Sequence, residues 1–219
     1  MSFITLIRHG QANSSATTEE GYDNLSELGK TQARWLGEHL RHCKVTYDAV
    51  YTGTLNRQID TEALLDLYDS PDPIKDPRLN EFRYYDLIAA MEQQFDLKPP
   101  LEGTGFINHF LETFTKWKSG ELLDIPETWD TYRDRVWTMM EDMRHSGQST
   151  LAVTSGGVIG MAVAHALDLE VRQLVKVLLE GMNTGVTRLQ YLHGEYHLMQ
   201  FNNLPHLDEA DRITSRTYY

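Results

Sequence analysis

The sequence predicts an α/β protein, a three-layer sandwich whose mainly parallel central sheet is flanked by helices, with a mostly helical insertion at about 82–130. Three observations carry this. The runs Phe3–Ile7, Tyr47–Tyr51 and Thr150–Thr154 are short, apolar and rich in β-branched residues, as strands buried on both faces are. Each run breaks into a short polar turn, and each turn opens into a stretch whose apolar residues recur every three or four positions. Strands alternating with helices in this way pair in parallel, because a parallel connection needs a crossover helix.

The elements follow in order. After Phe3–Ile7 and Arg8-His9-Gly10, Ser26 is placed to cap a helix with Ala33, Leu36, Leu40 and Cys43 on one face. The second run, Tyr47–Tyr51, leads to Thr54, a candidate cap for a helix carrying Leu55, Ile59, Ala63 and Leu67 on one face. From Glu81 to about Trp129 the periodicity blurs around Pro99-Pro100 and reads as the helical insertion. Met139, Met140 and Met143 face a core, and the pairs Trp129/Tyr132 and Phe110/Phe114 are spaced for packing. The third run enters Ser155-Gly156-Gly157 and a helix over Val158–Leu167. A hairpin of Gly185–Leu192 and Glu195–Phe201 turns at His193-Gly194, and the polar end Asp208–Tyr219 is expected to be loosely held.

Composition narrows the function. The 219 residues suffice for one domain spanning 1–219 with a full core. A formal net charge of −12 would repel nucleic acid and anionic lipid, so neither is an expected partner. No run is long enough for a membrane span, and the single cysteine, Cys43, fits a reducing compartment; the expected location is the cytoplasm.

The turns carry the chemistry. Arg8-His9-Gly10, Thr52-Gly53-Thr54 and Ser155-Gly156-Gly157 all follow strands, and in open α/β sheets ligands bind at the carboxyl ends of strands. Helix N-termini there are expected to offer unpaired N–H groups to an anion such as phosphate. Arg57, in the first turn of its helix, can join Arg8 as a second forked donor for phosphate oxygens. A neutral His9 beside arginines can attack phosphorus and hold the phosphoryl group covalently. A lone histidine after a strand is more often structural, and the accompanying motifs decide against that reading here.

Those motifs are LIRHGQ (Leu6–Gln11), LSELGKTQA (Leu25–Ala33), VYTGTLNRQIDTEALL (Val50–Leu65), LNEF (Leu79–Phe82), AVTSGGVI (Ala152–Ile159) and MNTGVTRL (Met182–Leu189). In this order the chain resembles the histidine phosphatase superfamily, the phosphoglycerate-mutase-like proteins. The resemblance implies that His9 is the phosphorylated nucleophile and that Arg8 and Arg57 clamp the phosphate. It makes Glu81 the acid that protonates the leaving oxygen and later activates water. Gln11, Asn13, Ser155 and Gly156 are the further candidate substrate contacts, and no metal or cofactor is implied. The expected activity is hydrolysis of a small phosphorylated metabolite.

Two departures keep alternatives open. Ser155 stands where the family usually has a second histidine, and loss of one preorganised donor costs roughly 10²- to 10³-fold in rate elsewhere. A degenerate member that binds a phosphorylated ligand or a protein partner without turnover is therefore the main alternative; the expected small-molecule partner is a phosphorylated substrate or inorganic phosphate. The small polar loop Ala12–Thr18, where mutases usually carry a Trp-Asn pair, argues against a mutase. Val153-Thr154-Ser155-Gly156-Gly157 also half-resembles the G-x-S-x-G elbow of serine hydrolases, without its first glycine, with Asp168 and His206 as candidate partners. The insertion holds four basic and nine acidic residues, which favours a small phosphomonoester over a polyanion.

Overall fold

The computed structural model describes residues 1–219 except Ser14, Thr17, Leu101, Glu102 and Tyr219. Along the chain run β1 (Ser2–Arg8), a single helical turn α1 (Glu19–Tyr22), α2 (Glu27–His42), β2 (Ala49–Thr52), α3 (Asn56–Leu65) and a short β3 (Ile74–Lys75). Then come α4 (Tyr84–Phe95), α5 (Gly103–Ser119), α6 (Trp129–His145), β4 (Ser149–Thr154), α7 (Gly156–Ala166), α8 (Val171–Glu180), β5 (Val186–Leu192) and β6 (Glu195–Asn203). The six strands form one sheet in the order β3-β2-β4-β1-β5-β6, parallel from β3 to β1 and antiparallel in the β5–β6 hairpin. The α/β class expected from the strand runs is the one observed.

Side-chain alternation along the central strands separates two cores. Ile7, Val50, Leu151 and Val153 meet Leu36, Leu40 and Leu65 on the face covered by α2 and α3. Ile4, Leu6, Tyr51 and Ala152 point the other way, onto Met139, Met140 and Met143 of α6 and onto α7. The segment 82–130 contains the helices α4 and α5, and their aromatic residues join that second core: Phe110, Phe114 and Trp117 pack with Phe82, Trp129 and Tyr132. No helix among the described residues is long and apolar enough to cross a membrane.

Several local expectations are corrected. α3 turns Arg57, Gln58, Thr61 and Leu65 inward; of the expected face Ala63 is exposed, Leu55 and Ile59 are half-buried, and Leu67, beyond the end of the helix, packs against the core. Its N-terminal half lies over the strand ends, so the buried face there carries polar groups. Thr54 does not cap this helix; its hydroxyl accepts from Asn80 Nδ2, and Leu55 takes the cap position. β2 begins at Ala49, because the Asp48 carboxylate holds the Gln148 and Ser149 amides and starts the pairing with β4 there. Cys43 lies beyond the end of α2 and is exposed. The described part of the C-terminal segment is held rather than loose: Gln32 Nε2 donates to Ser215 O and Thr217 Oγ1 at 2.7 and 2.9 Å.

Candidate active site

β1 and β4 are paired in register to their last residues, Arg8 opposite Thr154, and the His9 amide donates to the Thr154 carbonyl at 2.9 Å. His9 and Ser155 therefore leave the sheet side by side. Gly10 follows because α2 begins directly against it: a Cβ at Gly10 would lie 2.4 Å from the Gly29 carbonyl oxygen. The Gly10 amide donates to Thr61 Oγ1 at 3.0 Å, and Asn183 Nδ2 donates to the His9 carbonyl at 3.1 Å. Thr217 in turn donates to Asn183 Oδ1, so the C-terminal segment braces the histidine turn.

The tautomer of His9 follows from its neighbours. Nδ1 faces the Gly10 carbonyl at 2.7 Å, which can only accept, so Nδ1 carries the proton. Nε2 then presents its lone pair to Arg57 Nε, 3.2 Å away. His9 is buried, and its pKa is lowered well below the usual 6.5, first by burial and then by the Arg57 and Arg8 charges. The result is a neutral imidazole with its unprotonated nitrogen turned toward a guanidinium.

Arg57 is buried, lies 5.1 Å from the Tyr22 ring centroid, and pairs with Asp23 at 3.0 Å. The same carboxylate accepts from the Asn56 and Arg57 amides at 2.9 and 3.3 Å, capping α3. Arg8 donates from Nη1 to the Gly181 carbonyl, and its buried Nε–H has no acceptor among the described residues. Gly156, first residue of α7, lies against the Arg8 guanidinium. Glu81 reaches the N-terminus of the same helix: Oε2 accepts from the Gly157 amide at 2.8 Å, and Oε1 accepts from the Phe82 amide and the Tyr132 hydroxyl. Burial, with the Glu81 charge beside it, pushes the Tyr132 hydroxyl pKa well above 10, so it remains a donor.

The structure thus brings His9, Arg8, Arg57, Ser155, Gly156 and Glu81 to one end of the sheet. Side chains of this protein hold first-turn amides at each of the three helix N-termini that face the turns: Ser26 holds Gly29 on α2, Asp23 holds Asn56 and Arg57 on α3, and Glu81 holds Gly157 on α7. The serine-hydrolase arrangement is absent. Ser155 Oγ accepts from Gln58, while His206 Nε2 bonds Thr184 Oγ1 at 2.8 Å. Gln11 and Asn13 bond locally, Gln11 Oε1 to the Ser26 hydroxyl and Asn13 to Ser15 and Gly21. Arg57 and Glu81 open onto a cleft of about 470 Å³ that Asn80, Arg83, Glu127 and Arg135 also line. Among the described residues no three His, Cys, Asp or Glu side chains cluster as metal ligands do.

Asp23, Gln58, Tyr132 and Asn183 were missed by sequence reasoning. Gln58 and Asn183 lie inside quoted motifs, but their partners, Ser155 and His9, are far away in sequence. Asp23 stands two residues before LSELGKTQA, and nothing local distinguishes it from a solvated loop carboxylate.

Residues 4–204 match the profile of the histidine phosphatase superfamily, branch 1. The chain belongs to that superfamily. It is 24% identical over 238 aligned residues to the 2,3-bisphosphoglycerate-dependent phosphoglycerate mutase of Pelagibacter ubique, covering 96% of this chain and 94% of the mutase. The corresponding mutase of Brucella ovis is 32% identical over 90 residues, 38% of this chain and 44% of that protein. Among solved structures, the Entamoeba histolytica phosphoserine phosphatase in complex with 3-phosphoglyceric acid superposes with a TM-score of 0.68 at 20% identity, covering 94% of this chain and all of that one. The mycobacterial glucosyl-3-phosphoglycerate phosphatase gives 0.64 at 20% identity, covering 92% and 99%. These superpositions establish the shared fold.

Buried histidines also tie stability to pH. His206 is held neutral, its pKa lowered to about 3, chiefly by burial. Above pH 6.5 folded and unfolded chains bind the same protons at this site. Below it the unfolded chain gains a proton that the folded one refuses, so stability falls as pH drops from 6.5 toward 3. His206→Gln is expected to flatten the pH dependence of unfolding free energy by roughly 1.4 kcal/mol per pH unit between pH 6 and 4. Urea titrations across that range check this, and equal slopes in the two proteins would refute it.

Proposed function

We propose that this family member is a phosphomonoesterase that works through a phosphohistidine on a small phosphorylated metabolite. The observation that carries the reading is His9 itself, neutral, with Nδ1 spent on Gly10 and the Nε2 lone pair facing Arg57. Nε2 attacks phosphorus, the bond to the leaving oxygen breaks, and Glu81, in its protonated form, gives that oxygen its proton. Glu81 then takes a proton from water, whose oxygen attacks the phosphohistidine; phosphate leaves and the lone pair returns to Nε2. Arg57, and Arg8 through the Nε–H that has no acceptor among the described residues, balance the charge on the equatorial oxygens. Gln11, Asn13 and Gly156 are assigned to substrate contact, and α4 and α5 to a cap beside the cleft. Neither metal nor cofactor is required. The charge of −12 and single cysteine support action in the cytoplasm on small molecules rather than on nucleic acid or membranes.

A mutase reading has the Pelagibacter relative in its favour, because the match covers nearly all of both chains. One screen separates the readings. Purified protein in chelator is offered phosphomonoesters including phosphoserine and 3-phosphoglycerate, with release of phosphate and formation of 2-phosphoglycerate both followed. Phosphate release is expected; isomerisation without release would favour the mutase, and vanadate binding with no turnover would favour a non-catalytic binder.

A further inference from the structure

A serine before a helix ordinarily spends its hydroxyl accepting from an amide of the first turn. Ser155 precedes α7 but makes no such bond. Glu81 holds the Gly157 amide instead, and Ser155 is fully buried. The one hydrogen-bond partner of its hydroxyl among the described residues is Gln58 Nε2, at 2.8 Å.

The orientation of the Gln58 amide is fixed from both ends without reference to Ser155. Nε2 faces the Leu79 carbonyl at 3.0 Å, a pure acceptor, and Oε1 faces the Leu55 amide at 3.3 Å, a pure donor. Ser155 Oγ must therefore accept from Gln58, and its own proton has no acceptor among the described residues. A buried hydroxyl with an unspent proton stands beside the turn that carries His9. Such a group is costly unless a ligand completes it.

We propose that Gln58 is a positioning residue: by donating to Ser155 Oγ it turns the serine proton outward as a neutral donor to the phosphoryl group, in the place of the family's second histidine. The assignment deepens the phosphomonoesterase reading and rests on it for the identity of the ligand.

Vanadate affinity, measured by titration calorimetry at a temperature where circular dichroism shows each variant folded, tests the pair. Ser155→Ala should weaken vanadate binding about tenfold, as loss of a hydrogen bond to a charged group does. Gln58→Met, close to the original in length and volume, should weaken it three- to tenfold, roughly, by freeing the serine proton to turn away. The double variant should match Ser155→Ala within about twofold, because without the hydroxyl the amide has nothing to aim. Losses that multiply in the double variant would mark Gln58 as merely structural and overturn the proposal, as would unchanged binding in either single variant or no binding by the wild type. If Gln58→Met fails to fold, Gln58→Glu takes its place. That substitution offers the serine proton an acceptor, so binding should fall at least as far as in Ser155→Ala, and unchanged binding overturns the pair. Vanadate binding needs no turnover, so the expected pattern in a protein that hydrolyses nothing would refute the phosphatase reading and leave the Gln58–Ser155 pair standing.

Discussion

Replacing His9 with alanine should lower kcat on the best substrate of the screen by on the order of 10⁴-fold or more, the scale on which loss of a nucleophile is felt in other covalent enzymes. The loss should fall on kcat far more than on anion affinity, since Arg8, Arg57 and Ser155 remain. Rapid quench of the wild type with a ³²P-labelled substrate should trap an adduct that is labile to acid and stable to base, absent from His9→Ala. An adduct that persists in the variant would move the nucleophile elsewhere. The lowered pKa of His9 adds a signature in pH. Because the imidazole stays neutral through pH 6.5 and below, the acid side of the kcat/KM profile should show no inflection at an ordinary histidine pKa in the free enzyme.

Gly157→Ala should damage the acid rather than the nucleophile. A Cβ there would lie 2.0 Å from Glu81 Oε1 and 2.5 Å from Phe82 Cε1, distances that no real contact tolerates. The Glu81 carboxylate must leave the α7 N-terminus, and Phe82 must shift within its aromatic surroundings. With an alkyl phosphate, whose leaving oxygen needs a proton, kcat/KM should fall about 10²- to 10⁴-fold, matching Glu81→Gln. With p-nitrophenyl phosphate both variants should lose far less. Equal losses on the two substrates would show that another group protonates the leaving oxygen. Overpacking should also cost about 1–3 kcal/mol of stability, visible as a lower thermal midpoint in Gly157→Ala than in Glu81→Gln.

The sheet and the strand ends were legible because they are local facts: an apolar run, a turn residue and a periodic stretch follow one another within twenty positions. That is enough to place His9 and Ser155 at strand ends, and the register of β1 against β4 then makes them neighbours. The face of α3 was not legible. A rule that sends apolar residues inward fails where a helix lies over a polar site, and there Arg57, Gln58 and Thr61 are the buried side. Nor could the sequence reveal that Asp23 and Glu81 fill two helix N-termini, since each carboxylate closes a contact over more than thirty positions. The short β3 and α8 drew no expectation, β3 for its two residues and α8 because its apolar stripe sits between two better-marked elements.

The ring of Phe82 stands one residue from the Glu81 carboxylate, edge-on to Phe114 of α5 and to Tyr132 of α6. Tyr132 in turn donates to Glu81. Helices α5 and α6 and the residue next to Glu81 therefore share one set of packed rings. For engineering, this chain lacks modularity at the point where it would be most convenient. A segment equivalent to α4–α5 grafted from a relative would have to bring rings that fit Phe82, or the Glu81 carboxylate would be displaced with it. Substitutions that retune substrate range and substitutions that retune chemistry should accordingly be epistatic here, and laboratory evolution of this protein would be expected to gain new substrates through the loops first and through Phe110, Phe114 and Trp117 last.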